Sequence, residues 1–239
     1  MLLVRSVIYF GLMILSTFFF AMVIAIFGWF LPPYWNGAIA GGWGVINLWF
    51  LKWICGLDYQ VQGSENIPDT NALVLCKHQS SWETIALRWV LPFNQSWVLK
   101  KELMRIPVFG WALAAVKPIA IDRQSGRKAV KQVVDEGTKH LENDQFVIIF
   151  PEGTRVAPGE RKKYGIGGAL LASRSGYPVL PIAHNAGVFW ARRGLIKHPG
   201  TVQVVIGPLI ETKGLGTAEI NRLTEEWIET TMERLPGRI

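Results

Sequence analysis

The chain has 239 residues, of which 50% are hydrophobic and only 18% charged, and its formal net charge is +7 at pH 7. This length suffices for one domain with a substantial core, and the charged share lies below the roughly 25% of ordinary soluble domains. The basic excess suits anionic lipid or phosphate-bearing ligands, whereas the lack of interleaved aromatic and basic residues argues against nucleic acid. Cys55 and Cys76 form no CxxC pair, so no zinc or redox motif is present, and buried thiols are favoured over a disulfide.

The N-terminal part is the most apolar, because residues 6–51 include no Asp, Glu, Lys or Arg. Residues 7–31 are long enough to cross a hydrocarbon core, which takes about 20 apolar residues. Residues 35–51 contain several glycines and tryptophans, which favour a shorter helix in the membrane interface. A cleaved signal peptide would have a shorter apolar core, of about 7–15 residues. A buried hairpin in a soluble protein is the other alternative.

Strand-like and helix-like segments alternate along the rest of the chain. The predicted strands are residues 59–63, 72–76, 96–99, 119–121, 146–150, 179–183 and 202–206. The predicted helices are residues 82–91, 109–116, 125–142, 168–174 and 218–234. This order predicts an α/β fold with a mostly parallel central sheet flanked by helices. We therefore predict two parts, an N-terminal membrane-embedded two-helix segment at residues 1–57 and an α/β domain at residues 58–239.

The chemistry is expected in the loops at the carboxyl ends of the strands, where sites form in parallel sheets. One such loop carries His78, and Glu83 lies in the first turn of the following helix. A carboxylate on one imidazole nitrogen fixes the tautomer of a general base. The alternative for Glu83 is a capping box with Ser80, a purely structural role. Neither a G-x-S-x-G elbow nor another sign of a covalent nucleophile is present, and His184 is expected to be a structural hydrogen-bonding residue.

Two further loops supply arginines. Arg123 follows the strand at 119–121, and Arg155 follows the strand at 146–150. Arginine binds phosphate through two hydrogen bonds, and Gly153 would let backbone amides approach such a group. The alternative is a surface arginine that pairs with a neighbouring carboxylate such as Glu152.

These residues stand in four ordered blocks that resemble the 1-acyl-glycerol-3-phosphate acyltransferases, also called lysophosphatidic acid acyltransferases. The blocks are His78-Gln79-Ser80-Ser81-Trp82-Glu83, Lys101-Glu102-Leu103 running on to Ile121-Asp122-Arg123, Phe150-Pro151-Glu152-Gly153-Thr154-Arg155, and Val179-Leu180-Pro181-Ile182. The third block matches the family in every residue. The departure is Glu83, where the family usually has aspartate.

The resemblance implies an acyl transfer from a thioester, acyl-coenzyme A or acyl-carrier protein, to the sn-2 hydroxyl of lysophosphatidic acid, which gives phosphatidic acid. His78 would be the base and Glu83 its carboxylate partner. The phosphate would be held by Arg155, Arg123 and Lys101, in a loop shaped by Glu152, Gly153 and Thr154. No cofactor or metal is expected. The enzyme would lie at the inner (cytoplasmic) membrane with its α/β domain facing the cytoplasm, and its oligomeric state is left open.

Two alternatives are carried forward. In the first alternative, the enzyme would transfer the acyl group to glycerol-3-phosphate or to a lyso-ornithine lipid. In the second, the chain would be a non-catalytic membrane protein that only binds lipids.

Overall fold

The N-terminal apolar run forms a helical hairpin in the computed structural model, which describes residues 1–237. Helix α1 (Leu2–Phe27) is followed by helix α2 (Pro33–Phe50), and α2 runs into a π-helical turn, Leu51–Cys55. The helices run in opposite directions, because Trp43 Nε1 donates to Thr17 Oγ1 at 3.1 Å while the later Cys55 Sγ lies 3.8 Å from the carbonyl oxygen of Arg5. Both ends of the uncharged run therefore lie together.

Both helices are long and apolar enough to cross a membrane by length and composition. Only 11% of the most apolar window of α1 is buried, so most of that helix presents hydrocarbon outward. The glycines of α2 do not break the helix. A Cβ at Gly37 would lie 1.7 Å from the carbonyl oxygen of Phe93, so this glycine is needed for close packing against the α/β part.

A seven-stranded sheet forms the centre of the remaining chain. Its strands are β1 (Leu57–Gln62), β2 (Leu73–Cys76), β3 (Gln95–Lys100), β4 (Ile119–Ile121), β5 (Phe146–Ile149), β6 (Val179–His184) and β7 (Gly200–Ile206). Their order across the sheet is β1-β7-β6-β2-β5-β3-β4, and only the β6–β7 pair is antiparallel. The prediction of a mostly parallel sheet is confirmed.

Helices cover both faces of this sheet. They are α3 (Trp82–Val90), α4 (Phe109–Ala115), α5 (Arg127–Glu142), α6 (Ile166–Ser175), α7 (Ala186–Phe189) and α8 (Thr217–Arg234). Successive residues of β2 point to opposite faces. Val74 packs in a core cluster with residues of α2 and α3, whereas Leu73 packs in a second cluster with residues of α5, α6 and α8. The short helix α7 was not predicted, because four residues show no helical periodicity.

Candidate active site

His78 and Glu83 meet just beyond the carboxyl end of β2. His78 lies in the loop after the strand, and Glu83 lies in the first turn of α3. Glu83 Oε1 lies 2.7 Å from His78 Nδ1 and also accepts hydrogen bonds from the backbone N–H groups of Gln79 at 2.9 Å and Ser80 at 2.8 Å. The loop thus folds back over the start of the helix, so the contacts expected of an orienting carboxylate and of a local cap are made by the same oxygen.

Glu83 is fully buried, and its surroundings favour the ionised form. Burial alone would raise the pKa of Glu83, but His184, His78 and the N–H of Ser80 together lower the pKa below its usual value. An ionised carboxylate accepts from Nδ1–H, which leaves His78 Nε2 without a proton and free to accept one. An ionised carboxylate at Nδ1 and a free Nε2 on the same imidazole are what a histidine general base requires.

The loop of the third sequence block holds His78 in place. The imidazole stacks on the ring of Phe150 with 4.0 Å between centroids and 13° between planes. The backbone N–H of His78 donates to Glu152 Oε1 at 3.2 Å, and its carbonyl accepts from the N–H of Val156 at 2.8 Å. These contacts fix both the backbone and the ring, while the residue keeps 8% exposure on the wall of a cavity.

A buried ionic network lies behind this loop and was not anticipated from the sequence. Lys77 Nζ lies 2.6 Å from Glu229 Oε1 and 3.4 Å from Glu152 Oε1, and the hydroxyl of Tyr164 donates to Glu229 at 2.8 Å. Burial raises the pKa of Glu152 to about 7, against the opposing effect of Lys77. Lys77 therefore ties the His78 loop to α8, and the carboxylate of Glu152 faces this network.

His184 is structural. Its Nε2 donates to the carbonyl of Lys77 at 2.8 Å, and its Nδ1 accepts from the N–H of Ala186 at 3.2 Å. Burial lowers the pKa of His184, which keeps the ring neutral. With both nitrogens occupied, this histidine supports the backbone beside His78.

The nearest nucleophilic side chains are poorly placed for a covalent mechanism. Cys76 is a fully buried free thiol, and burial raises its pKa well above the usual value. The hydroxyl of Ser80 is also buried and accepts from the N–H of Trp82 at 3.2 Å. Across residues 1–237, no group of three or more His, Cys, Asp or Glu side chains is positioned to hold a metal ion.

A cavity of about 530 Å³ opens beside His78. Its apolar wall is shared by the hairpin and the α/β part, through Phe20, Ile24, Trp43, Leu103, Phe109, Ala112, Leu113 and Val116. The polar part of the lining includes six basic side chains and three hydroxyls: Arg88, Lys100, Arg123, Arg155, Arg192, Arg193, Thr17, Thr84 and Thr154. The cavity therefore offers hydrocarbon surface on one side and positive charge on the other.

The predicted phosphate ligands converge only in part. Arg123 Nη1 donates to the carbonyl of Gly153, whose φ of +67° favours glycine, and Arg155 lines the same cavity. Lys101, the first residue of the 3₁₀ turn after β3, is not part of the cavity lining, whereas the preceding Lys100 is. Arg192, which sequence reasoning missed, joins the group and donates to the carbonyl of Arg155 at 3.0 Å.

The chain is similar to known acyltransferases in sequence and in fold. The model of a family described as Acyltransferase matches residues 58–185. A 1-acyl-sn-glycerol-3-phosphate acyltransferase of Pseudomonas aeruginosa is 45% identical over 201 residues, which cover 82% of this chain and 77% of that protein. A protein of the same name from Cocos nucifera is 25% identical over 226 residues, covering 94% and 72%. The crystal structure of the 1-acyl-sn-glycerophosphate acyltransferase of Thermotoga maritima superposes with a TM-score of 0.82 at 23% identity, covering 100% and 97% of the two chains.

Proposed function

The chain belongs to the acyltransferase family, and on that premise we propose that it transfers a fatty acyl group from a thioester to the sn-2 hydroxyl of 1-acyl-glycerol-3-phosphate. The observation that carries the proposal is the oriented His78–Glu83 pair on the wall of a cavity that is apolar on one side and arginine-rich on the other. The names of the relatives support the same acceptor.

The proposed chemistry is direct transfer. His78 Nε2 takes the proton of the sn-2 hydroxyl as the oxygen attacks the thioester carbonyl. Protonation of Nε2 makes the imidazole ring an imidazolium, and Glu83 stabilises this cation through the hydrogen bond at Nδ1. The carbon–sulfur bond then breaks, the thiolate leaves, and the proton passes from His78 to the sulfur. Because a thioester is already activated and a thiolate is a good leaving group, these residues require no metal or other cofactor.

The arginines would receive the acceptor's phosphate. Arg155 and Arg123 are held near one another by the Gly153 loop, and guanidinium groups bind phosphate through paired hydrogen bonds. The acyl tail of the acceptor would lie against the apolar wall. This division favours a lipid with both a phosphate and a tail over glycerol-3-phosphate, which has no tail, and over a lyso-ornithine lipid, which has no phosphate.

The hairpin is proposed to lie in the cytoplasmic leaflet of the inner membrane. Its two ends lie together at Arg5 and Cys55, and the apolar surface of α1 is largely uncovered. Acyl thioesters are made in the cytoplasm, so the α/β part would face that side. Coenzyme A and carrier protein both remain candidate carriers of the acyl group.

The test is acyl transfer from a radiolabelled thioester by the purified protein, with 1-acyl-glycerol-3-phosphate and glycerol-3-phosphate compared as acceptors. We expect transfer to the first acceptor, and a loss of about 10²–10⁴ in rate for a folded His78→Ala variant. A protein that binds the lipid without transferring the acyl group would favour the lipid-binding alternative. Faster transfer to glycerol-3-phosphate would contradict the assigned acceptor.

A further inference from the structure

Arg88, on the cavity side of α3, lacks an ionic partner. Its guanidinium carbon lies 4.4 Å from the centroid of the Trp97 ring, and its side chain lines the cavity. Among residues 1–237, it forms neither a salt bridge nor a side-chain hydrogen bond. The side chain is partly buried, and this burial lowers the pKa of Arg88 to about 10. Charges removed from water normally have partners, so the donors of Arg88 are suited to a polar group of a ligand in the cavity.

The other polar groups of this part of the cavity are already satisfied. Trp43 Nε1 donates to Thr17 Oγ1, which itself donates to the carbonyl of Met13 at 2.6 Å. The hydroxyl of Thr84 donates to the carbonyl of Ser81 at 2.7 Å. Within the described chain, Arg88 is thus the group of this inner wall that retains donors for a ligand.

The Trp97 platform under Arg88 is rigid. Trp97 Nε1 donates to Gln95 Oε1 at 2.9 Å, and the amide of Gln95 donates in turn to the carbonyls of Leu87 and Pro92 at 3.0 and 2.8 Å. On the other side, Gly44 of α2 lets that helix approach α3 closely, since a Cβ there would lie 3.3 Å from Cβ of Arg88. Both the ring beneath the guanidinium and the helix that carries Arg88 are therefore held in place.

Arg88 is displaced from the reacting atoms along a row of rings. His78 stacks on Phe150 at 4.0 Å, Phe150 lies 6.0 Å from Trp97, and Arg88 lies over Trp97. The oxyanion of the transition state is bonded to the carbon under attack, so its stabilising donors must lie within about 3 Å of it, close to His78. With two aromatic rings in between, Arg88 is suited to a polar group farther along the acceptor.

We infer that Arg88 donates a hydrogen bond to the sn-1 ester carbonyl of the acceptor lipid and thereby selects 1-acyl over 1-O-alkyl acceptors. The inference rests on the proposed function, in which the sn-2 hydroxyl is at His78, the phosphate is at the arginine rim and the tail follows the apolar wall. The sn-1 ester joins the glycerol to that tail, so its carbonyl is the remaining polar group that must enter the apolar part. A charged donor in such surroundings forms a strong hydrogen bond to a carbonyl.

The test uses two acceptors that differ at a single carbonyl, 1-acyl-glycerol-3-phosphate and its 1-O-alkyl analogue of equal chain length. We expect the wild-type protein to prefer the acyl acceptor in kcat/KM by roughly tenfold or more. Arg88→Met keeps an apolar stem over Trp97 but has no donor, so kcat/KM for the acyl acceptor should fall by roughly 10- to 100-fold and the preference should approach one. Arg88→Lys retains a donor and should retain part of the preference.

Arg127→Met is the matched control, because Arg127 is exposed on α5 and does not line the cavity. It should leave the preference for the acyl acceptor unchanged. Equal losses on both acceptors in Arg88→Met, or an unchanged preference, would overturn the assignment of Arg88 while leaving the proposed function intact. A wild-type protein that acylates neither lipid would overturn the proposed function and this inference together.

Discussion

Replacing Glu83 by glutamine tests whether the negative charge of Glu83 contributes to catalysis. The alternative is that Glu83 only accepts hydrogen bonds that hold the local structure. Glutamine has the same length, and its carbonyl oxygen can still accept from the N–H groups of Gln79 and Ser80, which Glu83 Oε1 accepts at 2.9 and 2.8 Å. The substitution thus removes the charge beside His78 and retains most of the cap.

The expected magnitude follows from the 2.7 Å contact between Glu83 Oε1 and His78 Nδ1. Unit charges about 4 Å apart attract by about 4 kcal/mol at an effective dielectric constant near 20. This attraction is gained only when His78 becomes protonated, during the reaction. Since about 1.4 kcal/mol corresponds to a tenfold change in rate, kcat should fall by about 10³ in Glu83→Gln, while KM for the acceptor stays near the wild-type value.

The assay combines turnover with thermal melting. Stability should change by no more than about 1–2 kcal/mol, because the loss of hydrogen bonds is offset by removal of a buried charge. Glu83→Asp keeps the charge, and by resemblance the family uses aspartate here, so this variant should retain most of its turnover. Glu65→Gln, at an exposed position, controls for the chemical change alone. Near-normal turnover in Glu83→Gln would refute the orienting role and leave Glu83 as a cap.

Three further outcomes follow from the same geometry. Arg155→Lys loses paired hydrogen bonding to phosphate, so KM for the acceptor should rise much more than KM for the thioester, and a change confined to the thioester would assign this loop to the donor. Burial raises the pKa of Glu152 to about 7, so the native state holds a proton that the unfolded state releases from about pH 4.5 upward. The wild-type protein therefore loses stability as pH rises toward 7. Because glutamine has no such proton to lose, the melting temperature of Glu152→Gln minus that of the wild type should be higher at pH 8 than at pH 5. The same difference at both pH values would contradict this. Phe30, at the turn of the hairpin, is 85% exposed and therefore suited to cysteine labelling. A cysteine there should resist an impermeant thiol reagent applied outside intact cells, as should one at Asp69 in the α/β part, whereas strong labelling at 30 alone would establish a membrane crossing.

The order of strands and helices was predictable because apolar runs and amphipathic periods are local. The predicted helix at 125–142 corresponds to α5, Arg127–Glu142, whose buried residues include Ala129 and Leu141 from the predicted stripe. The sequence also placed His78, Arg123 and Arg155 after strands, and parallel topology then brings such loops to one edge of the sheet.

Contacts between distant parts of the chain were not predictable in this way. Lys77 and Glu229 are 152 positions apart, and neither belongs to a periodic pattern that marks it as a partner for the other. Arg88 stands in the last turn of a helix, where a cation is common, and Arg192 stands in an irregular loop. Their significance depends on burial and on the shape of a cavity, which no local pattern encodes.

The cavity also changes how the two predicted parts of the chain should be understood. The proposed boundary at residue 57 separates an apolar hairpin from an α/β sheet, but the wall beside His78 is built by both. Phe20 and Trp43 from the hairpin line the same cavity as Leu113 of α4. If the hairpin lies in the membrane as proposed, a lipid bound beside His78 stays against the hairpin, so its tail need not be transferred through water. Removal of the hairpin would take away one wall of the proposed substrate site, and the α/β part alone would retain the His78–Glu83 pair without a place for the tail.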